Sequence, residues 1–372
     1  MANGNHGKAA DGTGMRSSMT RILLLVLSAG AIGMAGADGM SVRRPRVGLA
    51  DCCATNTVFS APRACVDAVF SRGAIPLVLP RTTNEQAVAD LVAGLDAVCM
   101  TRAPESRDIW ERLLTAEANR QGVPVGAFDA SGKETTGLDL AVLHPTALRP
   151  RKRFKPVAIP DYCLTNVCSV VARLNMAEAL ERAGFVAWAL PFTADDGIVA
   201  EAMSGADALM VAGGWKGQDY PKRCAFEDRV IREALRLKLP IAGVCHGMQV
   251  VNKSLGGTLD ETFQKKKEKD FLIAHRMPVR TPYTDNFHLA DLTPGSRIAK
   301  VLGSHRAVIN SSHSCCVGRV AEGLKVTARA QDGIVEAYEH ETLPIMAFQF
   351  HPERMTYDAR FVELIRVALS RR

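Results

Sequence analysis

One stretch, Pro240–Gly257, places a reactive side chain where its reactivity could be used. It reads PIAGVCHGMQVVNKSLGG. An apolar strand, Ile241–Val244, runs directly into G-x-C-x-G, and Met248–Leu255 reads as a helix. A nucleophile on a strand-to-helix turn needs small neighbours, because the turn is strained and the backbones approach closely. Gly243 and Gly247 supply that room. Cys245 then stands at a helix N-terminus, where the dipole favours thiolate, the reactive form, over thiol. A lone buried cysteine is ordinarily structural, and the turn is what sets this one apart.

A thiolate that attacks a carbonyl needs a proton carrier for the leaving amine, and a carboxylate to orient that carrier. Ile345–Glu353, IMAFQFHPE, offers both. It reads as a strand ending in His351. Pro352 fixes the turn after it, so that Glu353 can face the same pocket. A third piece is Ala206–Trp215, ADALMVAGGW, an apolar strand ending in Gly213–Gly214. Backbone N–H groups there, with that of His246, could hold a developing oxyanion. Gly-Gly alone is an ordinary turn, so this reading depends on the other two pieces.

The strands that carry these groups belong to a repeated pattern. RVGLADCCATNTVFSAPRACVDAVFSRGAIPLVLP (46–80) lies beside PVAIPDYCLTNVCSVVARLNMAEALERAGFVAWALP (156–191). Each begins with a short strand (Val47–Ala50, Val157–Ile159), passes through an Asp-led loop, and forms a helix ending at Gly73 or Gly184. A second strand closed by Pro follows in both. The match continues with GLDAVCM (94–100) against GADALMV (205–211), and RQGVPVGAFD (120–129) against RLKLPIAGVC (236–245). Such alternation builds an α/β fold, a mostly parallel sheet with helices on both faces. The expected organisation is a shorter, degenerate and non-catalytic α/β repeat with its linker over 38–150, then a catalytic domain over 151–372. The link LHPTALRPRKRFKP is rich in Pro, Arg and Lys. Asp129 falls opposite Cys245 and Ala127 opposite Gly243, so the first copy is expected to lack a nucleophile.

GVCHGMQ, FQFHPE and the upstream Gly-Gly loop resemble the class I glutamine amidotransferase-like, flavodoxin-like fold, and most closely its gamma-glutamyl-gamma-aminobutyrate hydrolases. The resemblance covers about residues 156–372. It extends to GGTLDET (256–262), His275–Arg276, Asn310–Ser311 with His313, and EGLKVTARAQDGIVEAYE (322–339). It implies Cys245 as nucleophile, His351 as general acid/base and Glu353 as its orienter. Gln249 and the loop of Asn310, Ser311 and His313 are implied to lie near the substrate. Ser314, Cys315 and Cys316 stand where the family pattern has a second His and a Gln, which leaves the amine half of the substrate open. The implied reaction is hydrolysis of a small γ-glutamyl amide through a thioester, with a place in polyamine catabolism. A glutaminase subunit feeding ammonia to a synthetase is the alternative enzyme, although no G-x-x-x-x-G-K-[ST] motif occurs. A binding protein on a decayed hydrolase is the non-enzymatic alternative.

Composition is that of a folded globular protein. Hydrophobic residues make up 47% and charged residues 23% of the 372, which excludes a disordered chain. The net charge of +7 is spread along the chain, and the one dense run, Lys265–Lys269, reads as a solvated face. No nucleic-acid partner, cofactor or metal is expected, and a homodimer stays open. Ten cysteines, without C-x-x-C spacing, suggest a reduced protein. The amino terminus suggests export instead. Arg16 and Arg21 precede ILLLVLSAGAIGMAGA (22–37), which ends in an A-x-A pattern at Ala35 and Ala37. Residues 1–37 therefore read as a signal peptide, with translation from Met15 or Met19 as a variant. The run is short for a membrane span, which wants about 20 residues, although an uncleaved anchor competes. A periplasmic or secreted protein is expected, with the cytoplasm as alternative. Intact-mass measurement on native material should find a chain starting at or near Asp38. A full-length mass in the soluble cytosolic fraction would refute export.

Overall fold

A computed structural model describes residues 43–50, 58–101, 108–129, 131–136, 155–160, 169–214, 220–260, 262–263, 273–276 and 286–371, with single residues between 138 and 149. The proposed signal, the Cys52–Cys53 pair, the Lys265–Lys269 run and Trp215 lie outside these residues. Among the described residues no helix is long and apolar enough to cross a membrane.

The first copy contains β1 (Arg46–Ala50), β2 (Val58–Pro62), α1 (Arg63–Ser71), β3 (Ile75–Leu79), α2 (Glu85–Val92), β4 (Ala97–Met100), α3 (Ile109–Gln121) and β5 (Val125–Ala127). The second repeats the order with β6 (Lys155–Pro160), β7 (Ser169–Arg173), α4 (Leu174–Arg182), β8 (Phe185–Leu190), α5 (Asp196–Met203), β9 (Ala208–Val211), α6 (Tyr220–Arg236) and β10 (Ile241–Val244). It then adds α7 (His246–Ser254), β11 (Asn286–Leu292), α8 (Arg297–Leu302), β12 (Arg306–Ser311), β13 (Leu324–Ala330), β14 (Val335–His340), β15 (Ile345–Phe348) and α9 (Ala359–Ala368). Gly73 and Gly184 stop their helices with φ of 73° and 89°, a conformation that only glycine takes without cost.

All strands but β2 and β7 join one sheet of order β12-β11-β13-β14-β15-β10-β9-β6-β8-β3-β1-β4-β5. Alternation along each strand feeds two apolar layers. Val47, Leu49, Val157 and Ile159 pack in one layer with Leu180 and Leu364. Leu77, Leu79, Trp188 and Leu190 pack in the other with Leu91, Val230 and Val251. Helices therefore cover both faces, as the alternation requires.

The copies meet about a local two-fold axis. β3 and β8 pair antiparallel through Val78 and Ala189. β2 and β7 form a separate antiparallel ribbon centred on Ser60 and Val171. Superposing Gly73 on Gly184 places Val78 on Ala189 and Ser60 on Val171, so each pair joins a residue to its own counterpart. That is the isologous contact of a symmetric dimer, built within one chain. Arg43–Arg372 accordingly form one compact unit. Without this junction IPLVL and FVAWAL would both be apolar edge strands, ready to pair with other chains.

Three local expectations change. The loops after the shared Asp contain β2 and β7, whose ladder partner lies in the other copy. α7 starts at His246 rather than Met248. The strand expected to reach His351 stops at Phe348, with the Gln349 N–H making one last bond to the Glu336 carbonyl at 2.8 Å. Among the described residues of the first copy no α-helix follows β5. Asp129 Oδ1 accepts from the Ser131 N–H (2.9 Å), the Ser131 hydroxyl (2.6 Å) and the Lys133 N–H (3.0 Å). The chain then folds back through the Phe128–Glu134 bridge. Asp129 ties a turn where Cys245 opens a helix.

A chain beginning at Lys155 should lose solubility, because it bares the β8 edge and one side of the ribbon. Size-exclusion chromatography should find aggregates. A soluble monomer with a cooperative melt would show that the first copy is dispensable for folding.

Candidate active site

Cys245 has φ 50° and ψ −105° at the N-terminus of α7. Among the described non-glycine residues only Lys238 shares a positive φ. Such a conformation costs of order 1–3 kcal/mol and persists only where the surroundings over-determine it. Here the Cys245 N–H donates to the Phe348 carbonyl at 2.7 Å, and the Cys245 carbonyl accepts from the Gln249 N–H at 3.2 Å. A Cβ on Gly243 would lie 2.8 Å from the Met248 nitrogen, and one on Gly247 2.6 Å from the Val211 carbonyl carbon. Neither glycine can carry a side chain without moving backbone.

His351 lies three residues beyond β15, and Pro352 opens a 3₁₀ turn, Pro352–Arg354. The turn carries the Glu353 carboxylate back to His351 Nδ1 at 2.7 Å. Nδ1–H therefore donates to Glu353, and Nε2 is left to face Cys245. Gly213 closes the group: a Cβ there would sit 2.9 Å from His351 Cε1 and 3.5 Å from Cys245 Cβ. Burial by itself would lower the His351 pKa. The charges of Glu353 and Cys245, with hydrogen bonds to both, outweigh it and hold the imidazole up to about 9. Burial likewise pushes Glu353 up, but the His351 charge and hydrogen bond hold it below the usual carboxylate range. The pair is thus a buried imidazolium–carboxylate beside Cys245, able to supply or remove one proton.

Asn310 fixes this histidine by its backbone. The His351 N–H donates to Asn310 Oδ1 at 2.8 Å, and Asn310 Nδ2 donates to the His351 carbonyl at 3.1 Å. Gln249 follows Cys245 by one helical turn and is buried. It donates to the Cys315 carbonyl (2.8 Å) and to Gln349 Oε1 (3.1 Å). Ser311 and His313 are buried as well, Ser311 Oγ donating to the His275 carbonyl at 3.2 Å and His313 Nδ1 meeting the Cys315 carbonyl at 3.1 Å. Cys245, His351, Glu353, Gly213 and Asn310 therefore converge. Gln249, Ser311 and His313 brace the wall behind them.

Gly214 abuts α6, since its Cβ would lie 3.0 Å from Arg223 Cζ. Arg223 begins a buried polar chain. Its Nε donates to Glu227 Oε1 (2.8 Å), Glu227 Oε2 meets His246 Nε2 (2.7 Å), and Tyr220 Oη lies 3.3 Å from His246 Nδ1. Arg223 Nη2 also donates to the Ala212 carbonyl at 3.4 Å. One helix thus ties the Gly-Gly loop to the residue after Cys245. Arg223 and Glu227 sit four apart in sequence, a spacing usually found on solvated helix faces, and only burial marks them out. The six described cysteines form no disulfide, the adjacent Cys315 and Cys316 included. Burial drives Cys99 up to about 12 and raises Cys316 as well, leaving both poor nucleophiles.

Residues 164–353 match the model of the family described as Peptidase C26. The chain belongs to the peptidase C26 family. A glutamine amidotransferase candidate of Mycobacterium tuberculosis is 30% identical over 52% of this chain and 66% of its own length. The gamma-glutamyl-gamma-aminobutyrate hydrolase of Escherichia coli O157:H7 is 30% identical over 36% of this chain and 53% of its own. The chain thus spans about half to two thirds of these relatives. A solved structure, a glutamine amidotransferase from Thermotoga maritima, aligns at TM-score 0.39 and 13% identity, over 58% of this chain and 96% of that one. Its family places the chain among glutamine amidotransferase-like and hydrolase sequences.

Histidine-selective NMR should find the His351 ring titrating near 9. In Glu353→Gln, where burial loses its main opponent, the ring should titrate well below that. The folded value lies above the unfolded ~6.5. The pair's contribution to stability is therefore complete below ~6.5 and is lost as pH rises through about 9. Unfolding free energy should fall across that window in the wild type, and less so in Glu353→Gln. A ring near 6.5 in both proteins would contradict the buried ion pair.

Proposed function

We propose that the protein hydrolyses γ-glutamyl amide bonds by a Cys245–His351–Glu353 triad. The observation that carries the reading is Cys245 at positive φ on a helix N-terminus, facing a histidine whose other nitrogen is held by Glu353 at 2.7 Å. Cys245 passes its thiol proton to His351 as Sγ attacks the γ-carbonyl, and the oxyanion forms against the backbone N–H of His246 with the Gly213–Gly214 loop. The C–N bond breaks as His351 protonates the departing amine, which leaves a γ-glutamyl thioester. His351 then takes a proton from water, hydroxide attacks the thioester, and glutamate departs. The substrate is a small molecule, γ-glutamyl-γ-aminobutyrate or a related amine. The E. coli relative that bears that hydrolase's name supports this choice.

A glutaminase delivering ammonia is the second reading, favoured by the match to the Dictyostelium discoideum GMP synthase. That match covers 18% of the synthase, and no nucleotide-binding motif accompanies it here.

A panel of γ-glutamyl amines with glutamine as control separates the readings. Hydrolysis of at least one amine derivative should exceed that of glutamine. Glutamine preferred over every amine would move the assignment to glutaminase. Cys245→Ala should fold normally and lose turnover by about a thousandfold or more, and His351→Ala should match it, since triad members act as a unit. Glu353→Gln should lose less. Asp129→Ala should stay within about twofold of wild type, because its carboxylate serves a turn. Cys245→Ala retaining more than a few per cent of activity would overturn the mechanism.

A further inference from the structure

A second cluster of titratable groups lies behind the wall that carries Asn310. Glu336 on β14 is fully buried, and neither carboxylate oxygen has a hydrogen-bond partner among the described residues. Three histidines surround it: His288 Nε2 at 3.5 Å, His275 Nδ1 at 3.7 Å and His313 Nε2 at 3.7 Å from Oε1. The rings are 0–8% exposed, and Phe263 stacks on His313 at 5.5 Å.

Each histidine has its outward nitrogen engaged by an oxygen acceptor. His275 Nε2 meets Asp332 Oδ2 at 2.9 Å, His288 Nδ1 the Leu289 carbonyl at 3.2 Å, and His313 Nδ1 the Cys315 carbonyl at 3.1 Å. In a neutral ring those bonds favour the proton outward, which aims the inward nitrogen's lone pair at Glu336. His275 Nδ1 has Ser311 Oγ as a further neighbour at 3.3 Å. His288 Nε2 and His313 Nε2 have no hydrogen-bond partner among the described residues. With neutral rings, acceptors are packed against acceptors, an arrangement that buried polar groups do not normally tolerate without a cation between them.

We propose that His275, His288, His313 and Glu336 bind a divalent transition ion of the zinc class. Separations of 3.5–3.7 Å are too long for good hydrogen bonds. They are close to the ~3.4 Å that ligands keep in a tetrahedral shell with bonds of ~2.0–2.1 Å. The ligand atoms of His275, His288 and Glu336 all lie within 4.8 Å of one another, so modest side-chain movement completes the shell. Three imidazoles and one carboxylate suit zinc in preference to calcium or magnesium, which want oxygen. Asp332 behind His275 forms a carboxylate–histidine–metal arrangement. The charges of Asp332 and Glu336 together would balance the ion. Four protein donors fill the shell, so the ion would be structural. It would join β11, β14 and residues 273–276 to the loop after β12, and so hold the end of the strand that carries Asn310.

The test is metal content and uptake in the full chain. Inductively coupled plasma mass spectrometry should find about one equivalent of zinc-class metal per chain. Chelator-treated wild type should take up about one equivalent of Co²⁺, with the visible spectrum of a tetrahedral nitrogen–oxygen site. His288→Ala and Glu336→Gln should lose that uptake. Cys245→Ala should keep it, which separates this inference from the triad reading. Chelation should lower Tm in wild type and Cys245→Ala alike. Uptake below about a tenth of an equivalent by wild type would overturn the proposal, and this decides the matter even if the ligand variants fail to fold. Full uptake by both ligand variants, or a spectrum dominated by thiolate-to-cobalt charge transfer, would also overturn it.

Discussion

The structure depends on holding Cys245 at a backbone conformation that an L-residue avoids. Its φ of 50° turns the chain from β10 into α7 within one residue, and places the thiol at the positive end of the helix. The constraint spreads outward by contact. Gly247 must be bare because the Val211 carbonyl lies against it, and Gly243 because α7 begins directly over it. β9 and β15 must flank β10, as they do, for the Phe348 carbonyl to accept the Cys245 N–H. Once β15 is placed, the turn at Pro352 determines where His351 and Glu353 go.

The two copies show what happens when that constraint is absent. Both keep the strands, the helix-ending glycines and the packing layers, which bury apolar area whatever the chemistry. Only the second keeps glycine where the elbow needs it. The first has Ala127 and Asp129 there, and its chain closes into an Asx turn. What the first copy supplies is an edge: β3 covers β8, and β2 covers β7. It acts as the partner of a symmetric dimer would, while carrying no elbow of its own.

Legibility in the sequence followed the distance between cause and effect. The elbow is a steric problem contained within Gly243–Gly247, and the His351–Glu353 pair is two residues wide, so both could be read directly. The repeat could be read as well, because helix-ending Gly and strand-closing Pro are local signals. The ribbon of β2 and β7 could not, since neither strand has a partner within its own copy. Asn310 was placed near the substrate by resemblance, whereas its amide serves the backbone of a residue 41 positions away. Arg223 and Glu227 stand four apart, the spacing of a solvated pair, and only their burial beside His246 distinguishes them. His275, His288, His313 and Glu336 come from separate elements, so no short spacing announces them.

The central claim is that Cys245 forms the covalent intermediate. Rapid acid quench during turnover of γ-glutamyl-γ-aminobutyrate, followed by peptide mass spectrometry, tests it directly. The expected result is a γ-glutamyl increment on the peptide containing Cys245, absent from His351→Ala quenched at the same time. Turnover at full rate with no acylated Cys245 peptide, or with the increment on another cysteine, would contradict the account.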